Sequence, residues 1–184
     1  MAGFTASQDQ ANGEYCGKLF NYSVDATHST LLAPGDVVVL TGTANAFGIG
    51  GVDAAAAGAQ VSGVIAGVRP QYEGEQLSET GLPALTAGEV QCHIDPMLNF
   101  DVNVENGPLA VTSVGLNADI VANAATKLGG LTVSNMTLNA TGVATTQTLQ
   151  FRIVRLLEDE NGVLGNRAQV RFNNTTISDG AAGV

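Results

Sequence analysis

The chain has 184 residues, and its 17 acidic and 7 basic residues give a formal net charge of −10 at pH 7. This charge disfavours direct binding to nucleic acid, because proteins with that function neutralise phosphates with lysine and arginine clusters. Only 13% of the residues are charged, against about 25% in an average soluble domain, and the mean hydropathy is +0.17. Because no stretch is apolar enough for a membrane helix, part of the apolar surface is expected to be buried against another protein chain.

The start of the chain has no packing pattern. Residues 1–17 are polar and contain glycine, and they lack the basic start and the apolar block of a signal peptide. We therefore expect synthesis in the cytoplasm and an extended N-terminal arm over residues 1–18. A single all-β domain is expected over residues 19–177, followed by a flexible tail over residues 178–184.

Strand signals begin after the arm. A turn at residues 33–36 leads into three consecutive valines, and β-branched residues prefer a pleated backbone. A second apolar run covers residues 61–68. Residues 54–57 suit one helical turn, and the acidic, glycine-broken segment 71–81 is expected to be a surface loop.

The clearest strands come in the middle of the chain. Val90, Cys92 and Ile94 alternate with polar residues, and the same period of two continues over residues 98–104. One apolar face is typical of half-buried antiparallel strands, so Cys92 is interpreted as a small core residue. Shorter strand pieces are expected within residues 109–114, 116–121 and 131–138.

The last part of the chain predicts a hairpin. Phe151 and Ile153 face the same way before a turn at residues 158–162, and Val170 and Phe172 do so after it. Many short strands at spacings of about ten residues, without an amphipathic helix of three turns, predict an all-β fold. The expected architecture is an antiparallel β-barrel or a jelly-roll-like sandwich with an extended N-terminal arm.

The cysteine and histidine residues do not form a recognisable metal-binding or catalytic motif. Cys92 and His93 are neighbours in a strand and point to opposite faces, while Cys16 and His28 lack the paired spacing of a zinc site. No nucleophile elbow is present. We therefore expect no metal, no cofactor, no catalytic residues and no enzymatic activity. His28 is interpreted as a turn residue and His93 as a residue on the polar face of a strand.

The basic residues are unevenly distributed. Four of the seven lie on the final hairpin, and a fifth candidate directly precedes the first expected strand. These candidate partner-binding residues are Arg152, Arg155, Arg167 and Arg171 on the hairpin, and Lys18. Two interpretations remain open for the hairpin arginines. They form ion pairs with the acidic loops, or they form a docking face whose planar donors bind carboxylates or carbonyls of a partner.

Six segments carry a resemblance to a known family. They are Asp25-Ala26-Thr27-His28 and residues 33–42, 61–68, 114–120, 149–153 and 170–174. Over roughly residues 20–175, the chain resembles the structural cement or head-decoration proteins of tailed bacteriophages. It departs from them near the end, where family members tend to carry a tryptophan before the Asn-Asn pair and this chain has Gln169 and Phe172.

The resemblance implies an all-β barrel or jelly-roll module on the outer surface of the virion. Such a capsid cement protein bridges neighbouring subunits of the major capsid protein lattice, with self-association as a dimer or trimer expected and no catalytic residue implied. In our hypothesis, residues 1–17 reach onto a neighbouring subunit, and Arg152, Arg155 and Arg171 contact the lattice. The alternative is another virion β module, such as a tail, fibre or carbohydrate-binding domain.

Overall fold

A computed structural model describes residues 3–7, 18–69, 72–73, 76–77 and 80–177, and the chain is all-β in these ranges apart from one 3-10 helix at Val111–Ser113. The strands are β1 (Thr5–Ala6), β2 (Leu19–Val24), β3 (Val37–Ala44), β4 (Gly50–Ala54), β5 (Gly63–Val68), β6 (Tyr72–Glu73), β7 (Gln76–Leu77), β8 (Gly88–His93), β9 (Asn99–Glu105), β10 (Asn117–Ala118), β11 (Ile120–Val121), β12 (Thr126–Leu128), β13 (Leu131–Val133), β14 (Thr137–Asn139), β15 (Phe151–Glu158) and β16 (Leu164–Phe172). No helix in the described ranges has the length and apolar character needed to span a membrane.

Five strands close into a barrel in the order β2, β4, β3, β5 and β8. The pair β2 and β4 is parallel, and the other four pairs are antiparallel. The interior is filled by small and β-branched side chains, among them Val38, Val52, Ile65, Val90 and Cys92, which are all at most 1% exposed. The predicted core position of Cys92 is confirmed. Closure leaves a barrel without an unpaired sheet edge along these strands.

The other main sheet is open, with the strand order β10, β15, β16, β9, β14 and β11, and with β1 also paired to β9. Its inner face carries an aromatic cluster. The ring centroids of Phe100 and Phe151 lie 5.1 and 5.6 Å, respectively, from that of Phe172. Val37 and Val64 of the barrel belong to the same core cluster. The barrel therefore packs on the inner face of the open sheet through these side chains, while its interior forms a second core cluster. The predicted all-β barrel is confirmed.

Residues 3–7 are extended, but they are packed in the structure. Phe4 is 2% exposed and its ring stacks on that of Phe151 at 4.6 Å. Its N–H donates to the carbonyl of Gly35 at 2.9 Å, which ties it to the barrel. The expectation of an unpacked arm is therefore wrong for residues 3–7, because one phenylalanine without any apolar period is enough to anchor the chain. The rest of the expected arm up to residue 17, and the expected tail at 178–184, lie outside the described residues.

Three local expectations are also corrected. Residues 109–114 contain the 3-10 helix instead of a strand, and no strand pairing among the described residues includes this segment, so its β-branched residues have no ladder to join. Residues 54–57 end β4 and enter a turn closed by the N–H of Ala59 and the carbonyl of Ala56 at 3.2 Å, not a helical turn. The expected loop 71–81 includes the short hairpin of β6 and β7.

The arginine face as a candidate functional site

The final hairpin places its arginines on the outer face of the open sheet. In the strand register, Arg152 of β15 lies opposite Arg171 of β16, and Arg171 lies opposite Asn99 of β9. Asn117 of β10 extends this row on the other side of Arg152. Phe151 precedes Arg152 and Phe172 follows Arg171, and both phenylalanines are buried in the core. Because successive side chains of a strand point to opposite faces, the two arginines point away from the core. We call the outer surface of β15, β16 and β9 the arginine face.

The two central arginines have no carboxylate partner among the described residues. Arg152 Nε donates to Asn117 Oδ1 at 3.3 Å. Arg171 Nε is buried, and no described atom accepts its hydrogen bond. A salt bridge is seen at a different place, on the barrel, where Arg69 Nη1 and Glu89 Oε2 are 2.8 Å apart. Within the described part of the chain, Arg152 and Arg171 therefore form no ion pair with an acidic loop.

The other two hairpin arginines lie on the same face. Arg155 is opposite Gln169, and Arg167 is opposite Asn103 of β9. Arg152 and Arg155 are exposed, while Arg167 and Arg171 are half-buried. Lys18 is not part of this surface. It is exposed just before β2 of the barrel, where its carbonyl accepts the N–H of Ile94 at 3.0 Å.

A buried amide fixes the centre of the arginine face. Gln169 is 3% exposed, and its Nε2 donates to Ser7 Oγ at 2.6 Å and to Asp101 Oδ1 at 3.1 Å. Its Oε1 accepts from Asn99 Nδ2 at 3.4 Å. This network ties β1, β9 and β16 together and so holds the backbone that carries the arginines. Our sequence reasoning did not identify Gln169 as part of the site, although its position between Arg167 and Arg171 in a period of two places it on their face.

The cysteine and the histidines that could act in catalysis or metal binding are buried or lie apart from one another. Burial raises the pKa of the Cys92 thiol to about 12, so that the thiol is protonated at neutral pH. Burial lowers the pKa of His93, whose ring centroid is 6.1 Å from that of Phe100. His28 lies after a turn, as expected, but is 3% exposed, with Nδ1 2.8 Å from the carbonyl oxygen of Asp25. Within the described part of the chain, no three His, Cys, Asp or Glu side chains are grouped so that they could hold a metal ion.

Comparisons of this chain with protein-family models, with curated proteins and with solved structures found no match. The argument about function therefore rests on the residues and on the geometry described above.

Proposed function

We propose that the protein is a capsid decoration protein that binds the outside of a phage head and bridges neighbouring major capsid protein subunits. The arginine face is the proposed docking surface. The observation that carries this proposal is the side-by-side placement of Arg152 and Arg171, two guanidinium groups on adjacent strands without a described carboxylate partner.

Two adjacent arginines suit an anionic partner for an electrostatic reason. Like charges directly opposite each other on paired strands destabilise a sheet. A carboxylate from another chain that binds between them removes this repulsion and gains charge-assisted hydrogen bonds, and the planar guanidinium fork matches a carboxylate in geometry. The face therefore fits a capsid surface that presents Asp or Glu side chains, together with backbone carbonyls.

The mechanism of stabilisation would be thermodynamic linkage. A protein that binds the assembled shell better than its separated subunits stabilises the shell by RT ln(1 + [L]/Kd), about 2.7 kcal/mol per site at a hundredfold excess over Kd. Summed over a lattice, this contribution resists the pressure of packaged DNA. The net charge of −10 supports a position outside the shell, since an acidic protein is repelled by the genome. Self-association as a dimer or trimer is part of the proposal.

The test is a binding assay with heads of the virus that encodes this chain, stripped of their accessory proteins. The major capsid gene is expected to lie next to the gene for this chain. We expect the purified protein to co-sediment with the heads up to a fixed ratio to the capsid protein. The double variant Arg152→Glu/Arg171→Glu is expected to weaken binding about a hundredfold, in line with the loss of two charge-assisted contacts of about 1.5 kcal/mol each.

The matched control is Arg69→Glu/Lys127→Glu, which makes the same change in net charge on the barrel and on β12, outside the arginine face. It should bind heads like the unchanged protein. Equal losses in both variants would mean that only net charge matters and would overturn the proposed face. Failure of the unchanged protein to bind stripped heads would overturn the capsid function itself. Selective binding on a glycan array would then favour the tail, fibre or carbohydrate-binding alternative.

A further inference from the structure

The hairpin of β3 and β4 presents a phenylalanine to solvent at its tip. The last four residues of β3, 41–44, are all exposed, so the end of the hairpin projects from the barrel. Phe47 lies in the turn and is 87% exposed, the largest exposed fraction among the large apolar side chains of the described ranges. A single exposed apolar residue is ordinary in itself. The backbone around Phe47 and a cavity elsewhere on the chain give this one a role.

Four hydrogen bonds hold the turn that carries Phe47. Asn45 Oδ1 accepts the N–H of Phe47 and the N–H of Ile49, each at 3.0 Å. The N–H of Asn45 donates to the carbonyl of Ile49 at 2.9 Å, and the N–H of Gly48 donates to the carbonyl of Asn45 at 3.0 Å. The ring is therefore carried on a fixed backbone. A side chain that is held in this way loses little conformational freedom when it binds, which favours association.

An apolar cavity of about 200 Å³ lies at the base of the same hairpin, where the barrel meets the open sheet. Ala56, Ala122 and Ala124 line it and are exposed, so they form its mouth, and the half-buried Leu31 forms part of the wall. We call it the alanine cavity. Its accessible surface is mainly methyl groups, and an apolar cavity of about 150 Å³ is already large enough for benzene. The alanine cavity therefore has the size and the chemistry to hold a phenyl ring.

The tip of the hairpin and the alanine cavity are too far apart to meet within one chain. The eight residues of β3 lie between them, a span of about 26 Å at about 3.3 Å per residue. Two copies whose hairpins run in opposite directions place each tip at the cavity of the other copy, as a two-fold interface requires. We propose that Phe47 of one copy inserts into the alanine cavity of a second copy.

The contact area favours a second copy and predicts a weak association. One buried phenylalanine contributes about 150 Å² or more, whereas a stable interface buries about 800 Å² on each partner. A pair of copies makes the contact twice, while a partner with a single apolar site would make it once. We expect a dissociation constant on the order of 10 to 100 µM.

This inference specifies the self-association that belongs to the proposed function. Neither Phe47 nor the alanine cavity is part of the arginine face, and the test needs only the purified chain. Binding to phage heads and association between copies can therefore fail separately.

Sedimentation equilibrium of the purified chain, from about 5 µM to about 1 mM, tests the proposal. The molar mass should rise with concentration from 18.7 kDa toward twice that value. Phe47→Ser removes the ring from an exposed turn and leaves the backbone hydrogen bonds in place, so it should weaken association at least tenfold. Ala124→Gln narrows the mouth of the cavity from an exposed position and should have a similar effect. The matched control is Leu128→Ser, which removes a side chain that is 71% exposed on β12 and should change nothing.

A mixture of the two weakened variants tests the contact itself. Phe47→Ser keeps an intact cavity, and Ala124→Gln keeps an intact ring. An equimolar mixture, with one variant labelled by a fluorophore, should associate more tightly than either variant alone and more weakly than the unchanged protein, because one of the two contacts is restored. A mixture that associates no better than the single variants would overturn the proposal, as would an unchanged protein that stays monomeric or an equal loss in Leu128→Ser.

Discussion

The barrel and the open sheet bury their apolar side chains in different ways. The barrel closes on itself and fills its interior with valine, isoleucine, leucine and Cys92, with Tyr22 as its buried ring. The open sheet gathers its large side chains, Phe4, Phe100, Phe151 and Phe172, on one face and keeps the other face polar. Stability in the barrel is therefore spread over many small contacts, while in the sheet it is concentrated in a few rings.

The two regions also differ in how much of their surface is left for contacts with another chain. The barrel has no free edge, and the outer side of Val37 and Val64 is covered by the sheet. The open sheet uses one face for the core, and its other face includes the arginine face, which we propose as the docking surface. The four predictions below test this division, from the largest expected effect to the smallest.

The aromatic cluster should respond more strongly than the barrel interior. Phe151 is 0% exposed and contacts two other rings, so Phe151→Ala should lower the free energy of unfolding by about 4 kcal/mol. Ile65→Ala, the corresponding truncation of a buried barrel side chain, should lower it by about 2.5 kcal/mol. Urea denaturation of both variants measures the difference. Similar losses would contradict the concentration of stability in the rings.

Asp36 tests the junction between the two regions through pH. Burial raises its pKa from 3.8 to about 6, against the hydrogen bonds from Ser134 and Ala33, which lower it. The folded state therefore binds more protons than the unfolded state in this range. The stabilising contribution of Asp36 is complete below pH 3.8 and is lost as pH rises through 6.

The comparison with Asp36→Asn isolates this effect from the other carboxyl groups. The free energy of unfolding of the unchanged protein, minus that of the variant, should fall by about 3 kcal/mol between about pH 3.5 and about pH 7. Denaturation at a series of pH values provides the measurement. A difference that does not vary with pH would show that Asp36 has an ordinary pKa.

Gly165 of β16 tests how closely the segment around Leu109 packs against the open sheet. Gly165 has φ of +91°, and a Cβ there would overlap the carbonyl oxygen of Leu109, whose N–H donates to Gly165. Gly165→Ala should cost about 2 kcal/mol or more, from backbone strain and the overlap. Gly162, at φ of +77° in the hairpin turn, has open space around it, and its alanine variant should cost about 1 kcal/mol. Thermal unfolding of the two variants gives the comparison, and equal Tm values would contradict it.

The arginine face should contribute little to folding. Arg152→Gln relieves the repulsion from Arg171, so the free energy of unfolding should be unchanged or rise by about 0.5 kcal/mol at low salt. Added salt should remove this gain. Urea denaturation of the variant and of the unchanged protein at two salt concentrations measures both effects. A loss above about 1 kcal/mol would mean that Arg152 is part of the folding core and not of a docking face.

Sequence reasoning located most of the strands because their signals are local. Alternation placed Cys92 in the core and predicted an apolar face of the final hairpin that includes Phe151 and Phe172, both of which are buried. It failed where a segment has no period, as at Phe4, and where β-branched residues have no partner strand, as in residues 109–114. It also passed over Gln150, which is 0% exposed and bonded to the carbonyls of Ala56 and Ala59 at 2.9 and 3.0 Å.

The sequence by itself determined the all-β character and the final hairpin, because a period of two is set by neighbouring residues. The face on which Arg155 lies depends on a bulge in β15 after Ile153. Only the tertiary structure decided the closure of the barrel, the parallel pairs of β2 with β4 and of β9 with β14, and the burial of Asp36 beside Ser134. These features join residues that are distant along the chain. Pairing of that kind depends on which surfaces fit in space, and no local pattern encodes it.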